Sequence, residues 1–137
     1  MAYCTQRDLV TRYGELEIIQ LTDRAGLLGA IDTAVLSVVL ADAAAEIDGY
    51  LRDGGYSVPL TDQPQALTRH ACQMARYYLY DGTRPEEVAK DYHDSVQWLE
   101  KIASGRVSLP SDKDSPRYAA VARTMIYGSE FDADYSL

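Results

Sequence analysis

The sequence is poor in cysteine and in aromatics other than tyrosine, with two cysteines, one tryptophan and one phenylalanine in 137 residues. Cys4 and Cys72 stand far apart, and neither has a Cys-x-x-Cys or Cys/His spacing around it. That pattern suits neither a zinc site nor the cysteine-dense framework of a small secreted domain, so both read as reduced thiols. A long apolar run is also missing. Residues 30 to 45 come nearest, but Asp32, Thr33, Ser37 and Asp42 interrupt them, whereas a membrane span needs about 20 nearly uninterrupted apolar residues. The first ten residues hold Asp8 and no apolar stretch, so neither a signal peptide nor an anchor is expected. The expected compartment is the cytoplasm or a particle assembled there.

Positive charge is scarce: 13 basic residues face 21 acidic ones, for a net charge of -8. A surface that wraps nucleic acid needs a basic face to displace phosphate counterions, and this balance opposes it. The basic residues are ten Arg against three Lys. Guanidinium forks suit carboxylates at protein interfaces, which favours protein partners. With 47% hydrophobic residues the chain has the composition of one ordinary domain. At this length about two-thirds of the unfolded surface is buried on folding, enough for a core without metal or disulfide staples.

The apolar spacing is helical. Thr5 caps a short helix carrying Leu9, Val10 and Tyr13, with Asp8 at its positive end and Gly14 as its stop. A second turn or short helix covers residues 15 to 21. Residues 22 to 29 read as a loop whose Leu27 and Leu28 fold back onto the core. Residues 32 to 52 form the central helix, with Leu36, Val39, Leu40, Ala43, Ile47, Tyr50 and Leu51 at steps of three and four, and Asp42, Glu46 and Asp48 on its other face. It ends at Asp53-Gly54-Gly55, and residues 56 to 59 are extended ahead of Pro59.

A helix over residues 64 to 79 follows, with Asp62 as its cap and Leu67, Ala71, Met74, Ala75 and Tyr78 inward. Thr83 and Glu86 have capping-box spacing for the next helix, which runs to Ser104 with Val88, Tyr92, Ser95, Leu99 and Ile102 inward. The short connection makes these two helices an antiparallel hairpin. The pattern therefore predicts an all-α fold, a small bundle over residues 1 to 109. Residues 110 to 137 are expected to be an irregular tail, with residues 117 to 127 a short helix or strand.

The residues that carry chemistry do not converge in the sequence. His70 and His93 lie on the two hairpin helices without a nucleophile elbow or a cysteine partner, and read as surface or boundary histidines. Gly26, Gly29 and Gly54-Gly55 lack a phosphate-loop context. The Asp23 to Asp32 loop places Ala25 and Leu27 where an EF-hand needs oxygen ligands. Paired acids such as Glu86-Glu87 and Asp132 with Asp134 are explained by helix starts and solvated faces. No catalytic, cofactor-binding or metal-ligating residue is assigned.

Tyrosine is the unusual abundance, with eleven. Tyr77 and Tyr78 are consecutive on a helix and cannot both point inward, so one is left for solvent or another chain. Tyr77, Tyr80 and Trp98 at the hairpin, Leu27 and Leu28 in the loop, and Phe131 and Tyr135 in the acidic C-terminus are the candidate protein-interface residues.

Taken in order, the opening MAYCTQRDLVTRYGELEIIQLTD, the run Ala44-Ala45-Glu46-Ile47-Asp48-Gly49-Tyr50-Leu51 followed by Pro59-Leu60, the segment TRHACQMARYYLYD, and Trp98-Leu99 followed by Gly105-Arg106 resemble the Mu-like phage family of small head-tail adaptor proteins. The resemblance covers residues 1 to 109. It implies a helical subunit without enzymatic activity or cofactor that assembles as a ring, commonly of twelve copies, beneath the portal at the capsid vertex. Portal and tail proteins are then its partners, DNA passes through the channel without specific binding, no membrane is involved, and the location is the virion's head-tail junction. An acidic lumen would let DNA slide. The alternative is a non-enzymatic cytoplasmic adaptor or regulatory module that binds one protein through the aromatic end of the hairpin. An enzyme using His70 or His93 would require those groups to converge with carboxylates in a pocket.

Overall fold

The computed structural model describes residues 3–110 and is all-helical there. Helix α1 spans Gln6–Tyr13 and α2 spans Glu15–Thr22. A single residue, Gly14 at φ 92°, caps both and turns the chain between them, a torsion that L side chains resist. Thr5 and Asp8 form the reciprocal capping box that starts α1, Asp8 N–H to Thr5 Oγ1 at 3.1 Å and Thr5 N–H to Asp8 Oδ2 at 3.0 Å.

The central helix α3 runs from Thr33 to Asp53, 21 residues and about 31 Å at 1.5 Å per residue. Asp32 caps it by accepting from Ala34 and Val35. Its buried stripe is Leu36, Val39, Ala43, Ile47 and Leu51, the expected periodic set, with Leu40 and Tyr50 half-buried at its margin. Gly55, at φ 91°, takes the left-handed turn that ends the helix.

Helix α4 covers Gln65–Leu79 and α5 covers Glu86–Ala103. Their cross-links run in opposite order, His70 against Ser95 and Trp98 near one end and Tyr77 against Tyr92 near the other, so the pair is the expected antiparallel hairpin. Both helices pack on α3, α1 lies against α4, and α2 lies against α3. The core of the three long helices is closed by Tyr3 and Cys4 before α1 and by Tyr56, Leu60 and Leu109. The Tyr56 hydroxyl accepts from the Leu109 N–H at 2.8 Å, which fastens the chain after α5 to the segment after α3.

Two expected caps do not form. Helix α4 starts behind Pro64 and α5 behind Pro85, each at an extended ψ and without a side-chain cap, so neither Asp62 nor Thr83 with Glu86 does the predicted work. Proline holds φ near its helical value while its carbonyl starts the helix, so the turn needs no side-chain acceptor at that position. The Leu27 and Leu28 side chains do not fold back onto the core either, being 86% and 59% exposed. Among the described residues no helix is long and apolar enough to cross a membrane. Beyond its first residue, the expected tail, including residues 117 to 127, lies outside the described residues.

Candidate interaction surfaces

The loop that presents Leu27 and Leu28 is built around one carboxylate. Asp23, just past α2, accepts from Leu27 N–H at 3.1 Å, from Leu28 N–H at 3.1 and 3.2 Å, and from Gly29 N–H at 2.8 Å. Gly26 and Gly29 supply the positive φ values of 73° and 65° that aim these donors at a single point. The backbone donors, that of Gly29 first, hold the Asp23 carboxyl below the usual carboxylate range. Thr22 buttresses the start of the loop, its hydroxyl donating to Ile18 O at 2.8 Å and accepting from Asp32 N–H at 3.0 Å. With the donors spent inward, the two leucine side chains face solvent on a braced loop. Leu16 and Val38 are the other large exposed apolar residues among those described.

The tyrosines at the hairpin are engaged inside the chain. The Tyr77 ring stacks on Tyr92 at 3.9 Å between centroids, and the Arg84 guanidinium lies 4.0 Å from its centroid. Arg84 also donates to the Tyr77 carbonyl at 2.9 Å. Tyr78 hydrogen-bonds to the Glu46 carboxylate, to which Tyr92 also donates at 3.2 Å. Burial first, then the Glu46 hydrogen bond, pushes the Tyr78 phenol well above its ordinary value. Tyr3 makes the same kind of bond to Asp48, with the same direction of shift. Glu46 and Asp48 are therefore half-buried acceptors rather than members of a solvated face. The phenols of α4, α5 and the N-terminal segment reach across α3 to them, a pairing that periodicity along one helix does not reveal.

Tyr80 comes within 3.5 Å of Glu17, whose carboxylate takes the Arg76 fork at 2.7 and 3.2 Å. Arg76 lies 4.3 Å over the Tyr13 ring and ties α4 to both short helices. Trp98 is half-buried, stacked on His70. Tyr77, Tyr80 and Trp98 thus keep partly open faces while each has a partner within the chain. Phe131 and Tyr135 lie outside the described residues.

His70 corrects the surface reading most clearly. It is 5% exposed, its Nδ1 is 2.9 Å from Ser95 Oγ, and Ser95 Oγ donates to Gln73 Oε1 at 2.6 Å. One serine proton serves Gln73, so the imidazole carries its proton on Nδ1 and offers Nε2 to Arg69 at 3.4 Å. Burial, with Arg69 alongside, lowers its pKa to about 4. Such a histidine is a neutral packing element. His93 is exposed and sits at the edge of the Tyr92 and Tyr77 rings. The two histidines therefore belong to separate contacts on the hairpin. Neither histidine lines either of two open depressions, one formed by Glu46, Gly49, Tyr50 and Asp53 and the other by Gln97, Glu100, Lys101, Ser104 and Arg106.

The family model described as Bacteriophage Mu, Gp36 matches residues 3–126. The chain belongs to this family. The match runs past residue 109, so the family resemblance extends into the segment that the ordered landmarks left uncovered. Two curated relatives agree with it. The Gp36-family chain is 39% identical over 106 residues to gene product J of Escherichia phage Mu, covering 77% of this chain and 74% of the relative. It is 35% identical over 112 residues to the Mu-like prophage FluMu protein gp36 of Haemophilus influenzae, covering 82% of this chain and 78% of the relative. The Gp36-family chain is thus a phage protein whose described surface carries a braced, leucine-tipped loop and a layer of tyrosine-carboxylate contacts.

Proposed function

We propose that this phage protein is a structural part of the virion, a non-enzymatic connector that assembles as a ring at the junction of head and tail. The observation that carries the reading is the loop of residues 23 to 29. A bare leucine pair on a flexible loop would collapse or associate at random, but this loop is fixed by the Asp23 carboxylate, so its leucines are offered in one geometry. Preorganised apolar side chains lose little entropy on docking, and a ring repeats the contact once per subunit. Membership of a phage family supports the setting. The buried, satisfied state of His70 supports a role in packing rather than in catalysis.

In this reading the partners are further copies of the chain, the portal and the next tail component, with DNA passing without specific contacts past an acidic subunit. Size-exclusion chromatography with light scattering over a concentration series, followed by negative-stain imaging with and without portal-bearing capsids, tests it. Closed rings in solution or on the capsid vertex are expected. A chain that stays monomeric and fails to bind those capsids, or that forms only a one-to-one complex with a single soluble protein, overturns it in favour of a regulatory adaptor.

A further inference from the structure

The two cysteines, 68 positions apart in the sequence, meet in the core with their Sγ atoms 2.8 Å apart. Both are buried free thiols. Their separation along the chain conceals this meeting, because Cys4 sits just before the first residue that caps α1 while Cys72 lies in the middle of α4. A disulfide has an S–S length of about 2.05 Å, so less than 1 Å of approach joins them. Among the described residues no third cysteine competes, since the sequence has only these two.

We propose that Cys4 and Cys72 form a disulfide site, oxidised by thiol–disulfide exchange with a small disulfide such as oxidised glutathione, that clamps the N-terminal segment to α4. The inference stands on the two sulfurs and does not depend on the virion reading. Cys4 lies on the short segment before α1, which is held by the Tyr3 hydrogen bond to Asp48 and by the Thr5 cap. Lifting that segment uncovers both sulfurs without unwinding α4, a local opening confined to a short non-helical stretch ahead of α1. Cys72 stays seated in the middle of α4 while Cys4 moves with the segment, so Cys72 is the sulfur that meets the small disulfide first.

The exchange balances in two steps. The Cys72 thiolate attacks one sulfur of the small disulfide, whose S–S bond breaks, and one glutathione leaves as thiolate and takes up the proton that Cys72 lost. The segment then closes, Cys4 loses its proton and attacks the Cys72 sulfur of the mixed disulfide, and the second glutathione leaves and is protonated. Two protein thiols are oxidised and one small disulfide is reduced to two thiols. The closed loop holds α1, α2, all of α3 and the first half of α4, so the bond restricts a long stretch of the unfolded chain. A reducing medium keeps the pair as thiols and an oxidising one joins them.

The test uses the full chain, reduced and then incubated with oxidised glutathione at a range of ratios to its reduced form. The expected results are a Cys4–Cys72 linked peptide in non-reducing peptide mapping, loss of both titratable thiols, and a higher thermal midpoint that dithiothreitol reverses. The Cys4→Ala variant should show neither the link nor the shift. Mapping of the unsubstituted chain decides the question even where a variant folds poorly. Glutathione left on one cysteine, disulfides between chains, or thiols that stay reduced while the urea-unfolded chain oxidises normally would each overturn the proposal.

Discussion

His70 lies face to face with Trp98, ring centroids 4.2 Å apart and planes inclined by 19°. The pair joins α4 to α5 at the end of the hairpin away from the tyrosines, and the stack explains why the only tryptophan is half-buried rather than a free aromatic on the surface. The same imidazole is fixed from its edge by Ser95 and Gln73. Burial, with the Arg69 guanidinium alongside, thus demands a neutral ring.

That demand makes stability depend on acid. The unfolded histidine titrates near 6.5 and the folded one at about 4, so the unfolded chain binds the extra proton between these values. The His70 contribution is fully present above pH 6.5 and is lost as pH falls toward 4, by on the order of 3 kcal/mol. Urea midpoints measured between these pH values should fall with acid in the natural chain. The His70→Phe variant keeps a ring over Trp98 and leaves Ser95 its Gln73 partner, so its slope over the same interval should be shallower. Equal slopes would assign the acid sensitivity to carboxylates.

The contrast between α3 and His70 shows what the sequence makes legible. One helix with a stripe at steps of three and four announces its own buried face, and Leu36, Val39, Ala43, Ile47 and Leu51 were readable on that ground. His70, Glu46 and Asp48 were not, because their states are set by residues on other elements, Ser95, Tyr78, Tyr92 and Tyr3. The Cys4 and Cys72 contact belongs to the same class, since spacing rules for cysteine detect local motifs and not a segment folded onto a distant helix. The sequence alone suits Leu27 and Leu28 both to the core and to an interface. Their Asp23 brace decides for exposure, and the cue was an Asp followed at short range by two glycines.

Glu46 is the acceptor for two phenols, and removing it should cost more than its place on a helix surface suggests. Glu46→Ala leaves the half-buried Tyr78 and Tyr92 hydroxyls without their shared partner and should destabilise by about 1–3 kcal/mol. Glu46→Gln retains a carbonyl acceptor and should cost less. Phenolate absorbance should also report this contact. With Tyr78 and Tyr92 raised, the folded chain holds their protons above the unfolded value of 10, so the stabilisation is present below pH 10 and declines as pH climbs through the raised values. Removing Glu46 should move part of the absorbance change to lower pH.

Asp23→Ala should release the leucine loop while leaving the helices in place, because the carboxylate is bonded to the backbone of the loop itself. Amide exchange at Leu27, Leu28 and Gly29 should accelerate, with far-ultraviolet circular dichroism unchanged. If the loop is the docking element of a ring, the variant should assemble less well than the natural chain at equal concentration. In the natural chain the carboxyl is held below its ordinary value of 3.8, so its bonds are intact above that pH and fail only as acid carries it through the lower folded value. Unchanged exchange at these amides in Asp23→Ala would show that the glycine turns alone set the loop.

Gly54 and Gly49 should respond to alanine in opposite directions, although both lie at the same end of α3. A Cβ at Gly54 would stand 2.7 Å from the Ile102 carbonyl oxygen, a backbone atom that already accepts the Gly105 N–H where α5 ends. Neither partner can move without opening that turn, so Gly54→Ala should destabilise by about 1–3 kcal/mol, as overpacking does elsewhere. Its φ of -79° is ordinary for any residue, which places the cost on the close approach and not on backbone strain. Gly49 lies inside the helix with nothing within 4 Å of an added Cβ. There alanine reduces the freedom of the unfolded chain and improves helix propensity, so Gly49→Ala should stabilise by about 0.5–1 kcal/mol. Thermal midpoints moving apart on either side of the natural chain would confirm that α3 and α5 meet through Gly54, and a neutral Gly54→Ala would mean that the two helix ends stand farther apart.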